Sequence, residues 1–199
     1  KSKYQSKLIG EFQKQNAAIA VTALKNLKGF KISEKNIKNG LKNAVWPARM
    51  QQITSGKLAK LVPKNSELWL DGGHNEAAVI ELQKNLNKWK DKNIYLIFGM
   101  LKKRNCKDLL GLISHKKIAG LYAVSIPDDE NSYHTEEIER IARRIGFNAH
   151  GASSVKKAIQ SIIKNETKPL RIVIFGSLYL AGSVLAENHI PSPSGRGLG

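Results

Sequence analysis

Beyond Pro63 the chain alternates short apolar runs with amphipathic stretches of helical length, and few architectures accommodate that alternation. Residues 67–70 read as a strand closed by the turn Asp71-Gly72-Gly73-His74-Asn75. The next stretch places Val79, Leu82, Leu86 and Trp89 on one helical face. Residues 93–98 form an apolar strand ending at Gly99, a short helix follows near 108–113, and 118–124 is a third strand. Thr135 opens a helix whose first turn carries Glu136 and Glu137, where acidic groups suit the helix dipole. Ile138, Ile141 and Ile145 point inward until Gly146 ends that helix. A short strand at 147–149, a helix over 153–164, a buried strand over 171–175, the turn Gly176-Ser177 and a helix over 178–188 complete the pattern. Strands separated by helices imply βαβ units with right-handed crossovers and a mostly parallel sheet covered on both faces. The expected fold class is therefore α/β, a Rossmann-like three-layer αβα domain.

Upstream the pattern changes. Ile9, Phe12, Ala17, Ala20, Leu24 and Leu27 recur at helical spacing over 8–27, and Gly29 stops the run. Ser33 is placed to cap a second helix reaching about residue 41. Trp46-Pro47-Ala48-Arg49 then breaks the pattern, because the residue before a proline is driven out of helical geometry. The division expected is 1–45, then 46–190, then a disordered tail at 191–199 that is rich in Pro, Ser and Gly.

Composition narrows the function classes. No apolar run reaches the roughly 18 residues that a membrane span requires. The single cysteine, Cys106, cannot form an internal disulfide, which fits a reducing, cytoplasmic setting. It has no evident catalytic partner and is read as a passive side chain. The formal net charge of +17 favours anionic ligands. Acidic residues are interspersed with the basic ones, however, and only Lys102-Lys103-Arg104 and Lys116-Lys117 stand out as blocks. Aromatics do not alternate with the basic residues, as a platform for single-stranded nucleic acid requires. A basic nucleic-acid-binding module is the non-enzymatic alternative, and it rests on charge alone. Lys1-Ser2-Lys3-Tyr4 reads like the middle of a longer chain, so a fragment is expected.

In open α/β sheets ligands bind beyond the carboxyl ends of the strands, where helix N-termini present free N–H groups. Asp71-Gly72-Gly73-His74-Asn75 occupies such a place. Its glycines permit close approach of the backbone, Asp71 can accept from a ribose hydroxyl, and His74 can donate to phosphate or carboxylate. The bland alternative is that Asn75 caps the helix and His74 meets water. Ser177 caps the last helix or contacts a ligand there. Arg49 can fork onto a phosphate.

Five stretches, in order, resemble one family: Gln13-Lys14-Gln15-Asn16-Ala17-Ala18, Trp46-Pro47-Ala48-Arg49-Met50-Gln51, Leu70-Asp71-Gly72-Gly73-His74-Asn75, Phe98-Gly99-Met100-Leu101 and Phe175-Gly176-Ser177-Leu178-Tyr179-Leu180. The chain resembles the C-terminal portion of a folylpolyglutamate synthase, often bifunctional with dihydrofolate synthase, within the Mur ligase superfamily. The resemblance implies a Mur ligase C-terminal domain preceded by the last helices of a truncated ATP-binding domain. It also implies ATP and Mg2+ as cofactors, with the P-loop and metal ligands upstream of Lys1, so that the chain alone is inactive. Folate or dihydropteroate and L-glutamate are the implied substrates of a monomeric enzyme that proceeds through an acyl phosphate. By motif, Asn16, Arg49 and Asp71 match ATP-contacting positions, and His74 and Ser177 match positions serving phosphate and glutamate. His74 and Arg49 are the implied catalytic pair. A Mur-type ligase acting on cell-wall precursors shares this fold and is the alternative enzyme. The chain departs from the family pattern at Phe12 (usually His), Ala48 (usually Gly), Gly73 (usually Ala) and Arg104-Asn105 (usually Lys-Asp).

Overall fold

The computed structural model describes Tyr4, Leu8 and residues 11–188; Ile9, the Phe12 side chain and the 191–199 tail lie outside the described residues. The chain divides into two compact units, Lys1–Arg49 and Met50–Gly199.

In the first unit α1 spans Glu11–Lys25 and α2 spans Glu34–Asn43. Ser33 caps α2, its side chain accepting from the Asn36 N–H, so the expected start holds. The expected helical spacing over 8–27 is met by α1. Ala17 and Val21 are buried, whereas Ala20, Leu24 and Leu27 are exposed, as are Ile19 and Phe30. A unit of two helices has too little surface to cover both sides of α1. Ala48 has φ of 55°, a left-handed conformation that costs an L-residue about 1–2 kcal/mol and glycine almost nothing. Ala48→Gly, the residue usual in the resembled family, is expected to raise unfolding free energy by about 1 kcal/mol. A urea midpoint that falls, at unchanged slope, contradicts this.

The second unit is a six-stranded sheet in the order β1-β2-β6-β3-β4-β5. The strands are β1 (Gln51–Gln52), β2 (Glu67–Asp71), β3 (Asn93–Phe98), β4 (Gly120–Ala123), β5 (Ala149–Gly151) and β6 (Leu170–Phe175). Only β1 is antiparallel to its neighbour; the rest of the sheet is parallel. Strand β6 lies between β2 and β3, and all six of its residues are buried. Such burial on both faces explains its continuous apolar run.

Helices α3 (Glu76–Lys88), α4 (Cys106–Gly111) and α5 (Thr135–Arg144) share one core with the sheet, built on Leu82, Leu86, Leu96, Phe98, Leu110 and Ile138. Helices α6 (Val155–Asn165) and α7 (Leu178–Glu187) bury Ile159, Ile162, Leu180 and Val184 and pack on β3, β2 and β6. The α/β three-layer expectation is met. Strand β5 begins two residues later than expected, because the Phe147 N–H closes α5 on the Ala142 carbonyl. The Phe147 ring packs edge-on against His115, with centroids 6.1 Å apart. Among the described residues no helix is long and apolar enough to cross a membrane.

At the amino ends of the strands, opposite the candidate site, lies an ion cluster. Arg171, 4% exposed, donates through Nε and Nη2 to both Glu67 carboxylate oxygens, at 2.6 and 3.0 Å, and through Nη1 to Asp91 at 3.1 Å. Its guanidinium also lies 4.3 Å from the centre of the Trp89 ring, and Lys92 pairs with Glu67. Burial opposes the charge on Glu67. Hydrogen bonds from Arg171, Lys92 and Trp69 outweigh it and hold the carboxyl at about 2.

Candidate functional site

Two Phe-Gly dipeptides end neighbouring strands in register: Phe98 of β3 pairs with Phe175 of β6. Their rings stack at 6.4 Å and 28° beneath the turns that follow. Gly176 has φ of 124°, and a Cβ there would stand 2.6 Å from the Gly99 carbonyl oxygen and 3.0 Å from the Phe98 ring. Gly73 is crowded as well: a Cβ would lie 2.5 Å from the Ala78 methyl and 2.6 Å from the Phe175 ring. That crowding explains why this chain carries glycine at 73.

Above this floor is a cleft of about 240 Å³ at the carboxyl ends of β2, β3 and β6, lined among others by His74, Lys103, Arg104, Ser177 and Tyr179. None of its lining residues is acidic. Ser177 caps α7, its Oγ accepting from the Tyr179 N–H at 3.1 Å, which leaves the hydroxyl proton for a ligand. The first-turn N–H groups of α7 open at the same place and favour an anion. His74 Nδ1 lies 3.2 Å from the Gly72 carbonyl oxygen. A carbonyl only accepts, so Nδ1 carries the proton. Nε2 is then the atom left for a ligand, as an acceptor in the neutral ring and a donor in the imidazolium. Asn75 caps α3, accepting from the Ala78 N–H at 3.0 Å, and His74 sits beside that helix start.

The cleft thus brings together His74 and Ser177, both anticipated. Asp71 ends β2, 7% exposed, and is not among the lining residues. Its Oδ1 accepts from the Gly73 N–H at 2.7 Å and its Oδ2 from the Met50 N–H at 2.9 Å, so it fastens the turn to the segment before β1. Asn16 and Arg49 belong to the first unit. Asn16 Nδ2 donates to Gln13 Oε1 at 3.1 Å, leaving its own carbonyl for other donors. The Arg49 guanidinium lies over the exposed Trp46 ring at 5.9 Å.

Lys103, Arg104 and Tyr179 were not singled out as site residues. The basic block was legible as charge, but its place beyond β3 depends on the fold. Asn105 caps α4, accepting from the Lys107 and Asp108 N–H groups at 3.0 and 3.3 Å, so the loss of a carboxylate there costs no cap. Cys106 is fully buried, and burial pushes its thiol up to about 12, which leaves it unreactive. Among the described residues no group of three or more His, Cys, Asp or Glu side chains could hold a metal ion.

Comparison with known proteins gives a consistent picture. A probable dihydrofolate synthetase of Schizosaccharomyces pombe is 33% identical over 111 residues, covering 55% of this chain and 25% of the relative. The folylpolyglutamate synthase of Lacticaseibacillus casei is 26% identical over 183 residues, covering 89% of this chain and 38% of the relative. The chain therefore spans well under half the length of either. Among solved structures, Mycobacterium tuberculosis folylpolyglutamate synthase complexed with ADP has the same fold, with a TM-score of 0.78 at 17% identity, over 94% of this chain and 42% of that one. Residues 52–187 match the family model described as the dihydrofolate synthetase C-terminal domain, and the chain belongs to that family.

Proposed function

We propose that this chain is the C-terminal part of an ATP-dependent ligase that adds L-glutamate to folate or dihydropteroate, in the cytoplasm and as a monomer. The observation that carries the reading is a small, wholly non-acidic cleft at the carboxyl ends of β2, β3 and β6 in a domain of this family. At about 240 Å³ the cleft falls below the roughly 300 Å³ at which pockets for drug-sized ligands begin. It suits one small anionic group or an amino acid, not a whole nucleotide.

ATP would supply the activation, placing a phosphoryl group on the pteroate or folate carboxylate. Magnesium would be held by residues outside this chain. This chain's own residues then have defined tasks. Ser177 Oγ–H and the first turn of α7 hold an anionic oxygen. His74, its Nδ1 fixed on Gly72, presents Nε2 to the amine or to an oxygen. Arg49 offsets charge that grows on the transferred phosphoryl group, and Asn16 and Asp71 meet the nucleotide. Closing the domain would exclude water from a hydrolysable acyl phosphate.

The test is phosphate release by the full-length protein that carries this domain, with ATP, magnesium, dihydropteroate or folate, and L-glutamate. Release should require glutamate and the pterin acid together. The 199-residue chain alone should release none. Glutamate-independent turnover by the full-length protein, or turnover by the chain alone that scales with its concentration, defeats the reading.

A further inference from the structure

Helix α7 is held at both of its ends. At the cleft Ser177 caps it, and Leu178 lies so close to the 71–74 turn that a Cβ on Gly72 would stand 2.5 Å from the Leu178 Cδ2. At the far end of its ten residues, about 15 Å along the axis, stands Asn188, which is wholly buried. A buried amide needs partners for both of its halves. The Asn188 Oδ1 accepts from the Leu58 N–H at 2.8 Å and the Ala59 N–H at 3.4 Å, and its Nδ2 donates to the Ser55 carbonyl at 2.7 Å. Asn188 thereby caps the short 3-10 turn Ala59–Leu61, since the Leu58 that precedes this turn has no side chain able to do so. Gly56, with φ of 100°, permits the approach: a Cβ there would lie 2.4 Å from the Asn188 Nδ2.

The same segment is tied at its other end to the turn that carries His74. The Met50 N–H donates to Asp71 Oδ2 at 2.9 Å, and the Ile53 N–H to the Leu68 carbonyl at 2.8 Å. Residues 50–61 are thus a strap running from the carboxyl end of β2 to the carboxyl end of α7. Between its ends α7 meets the sheet through Leu180, Ala181 and Val184, all buried and apolar. Apolar burial is non-directional, so it decides which face of a helix turns inward and only weakly where the helix stands along its axis. Directional hydrogen bonds supply that register.

We propose that Asn188 is a positioning residue for the cleft: by fastening the carboxyl end of α7 to residues 55–59, it sets where Ser177 and the first-turn N–H groups of α7 stand. It touches no ligand and acts through the helix. The ligase reading is needed only for the activity measurement.

The experiment compares Asn188→Ala and Asn188→Asp with Ile138→Ala, which empties a buried position on α5, a helix packed on β4 and β5. In the 199-residue chain, hydrogen exchange is read at the Tyr179 and Ala181 amides, which donate to the Ser177 Oγ and carbonyl, as a ratio to exchange at the amides of β3. Asn188→Ala should raise that ratio by about tenfold or more, because the far end of α7 is released while the sheet is not. Asn188→Asp keeps the acceptor for Leu58 and Ala59 and should give a smaller change of the same sign; it carries the test by itself if the alanine variant does not fold. Ile138→Ala lowers the stability of the whole unit and should leave the ratio unaltered. In the full-length protein, kcat/KM for ligation, measured well below every melting temperature, should fall about tenfold or more in Asn188→Ala and stay within about twofold of parental in Ile138→Ala, since a misplacement of about 1 Å can cost roughly a hundredfold. Three results overturn the proposal: an unchanged exchange ratio in the Asn188 variants that fold; a loss of kcat/KM that Ile138→Ala shares; or a raised ratio with ligation undiminished. If the parental full-length protein performs no ligation, the ligase reading falls, while the exchange ratios still decide whether Asn188 places α7.

Discussion

Arg171→Ala is expected to lower the unfolding free energy by about 3–5 kcal/mol, the cost of breaking a buried ion pair from one side. The substitution leaves Glu67, Trp89 and Asp91 without the group that all three contact. Much of the loss is the penalty of an ionised Glu67 whose best donor is gone, and not the intrinsic worth of the pair. Arg171→Met combined with Glu67→Gln should therefore recover most of the stability. Equal losses in Arg171→Ala and the double variant would show that the two residues are not coupled. The pH dependence follows from the same cluster. The Glu67 carboxyl is held at about 2, below its ordinary value of 4.5. A group with a lowered folded-state value contributes stability that is complete above about pH 4.5 and is lost as pH falls through 2. Glu67→Gln should flatten the acid limb of a stability profile over that window, and an unchanged limb contradicts the assignment.

How much of this was legible in the sequence depends on the range over which each signal acts. The parallel sheet follows from local apolar runs, and β3 was bounded correctly because an unbroken apolar stretch meets a glycine. The caps by Ser33, Asn75 and Ser177 lie within three residues of what they cap, so residue type and position suffice. The two-residue β1 carries no apolar signal at all, only Gln51 and Gln52, and is defined by its partner. The Glu67–Arg171 pairing joins residues 104 positions apart, and nothing near either of them announces it. An arginine in an otherwise apolar strand was the only hint.

The candidate site shows the same division. His74 and Ser177 were found because the turns that carry them sit at strand ends, and strand order then makes them neighbours: β6 lies beside both β2 and β3. Lys103 and Arg104 were legible as charge and not as lining residues. That distinction needs Glu137 of α5 to take Lys102, and Tyr133 to pin the loop. Asp71 reverses the case. Residue type suggested a ligand contact, while the fold gives each of its oxygens a backbone N–H. Its loss would disturb the turn before it disturbed any chemistry.

That contrast sets the terms of the largest functional effect. In the full-length protein, His74→Ala and Arg49→Ala are each expected to slow kcat a hundredfold or more, since losing one donor to charge that develops in the transition state costs about 2.7–4 kcal/mol. Neither should shift the melting temperature by more than a degree or two, because neither side chain anchors a core. His74 makes one contact within its own turn, to Gly72, and Arg49 rests on an exposed tryptophan. Lysine at 49 should restore only part of the rate: it keeps the charge but loses the planar fork that matches a phosphoryl group. Asp71→Ala should behave in the opposite sense, lowering stability along with rate, since Gly73 and Met50 both lose the acceptor of their backbone N–H groups. Measuring kcat beside melting temperature for the three variants separates contact with the reacting groups from support of the turn. An alanine variant at 74 or 49 that keeps near-parental kcat while its melting point falls is structural, and its role in the proposed chemistry is then wrong.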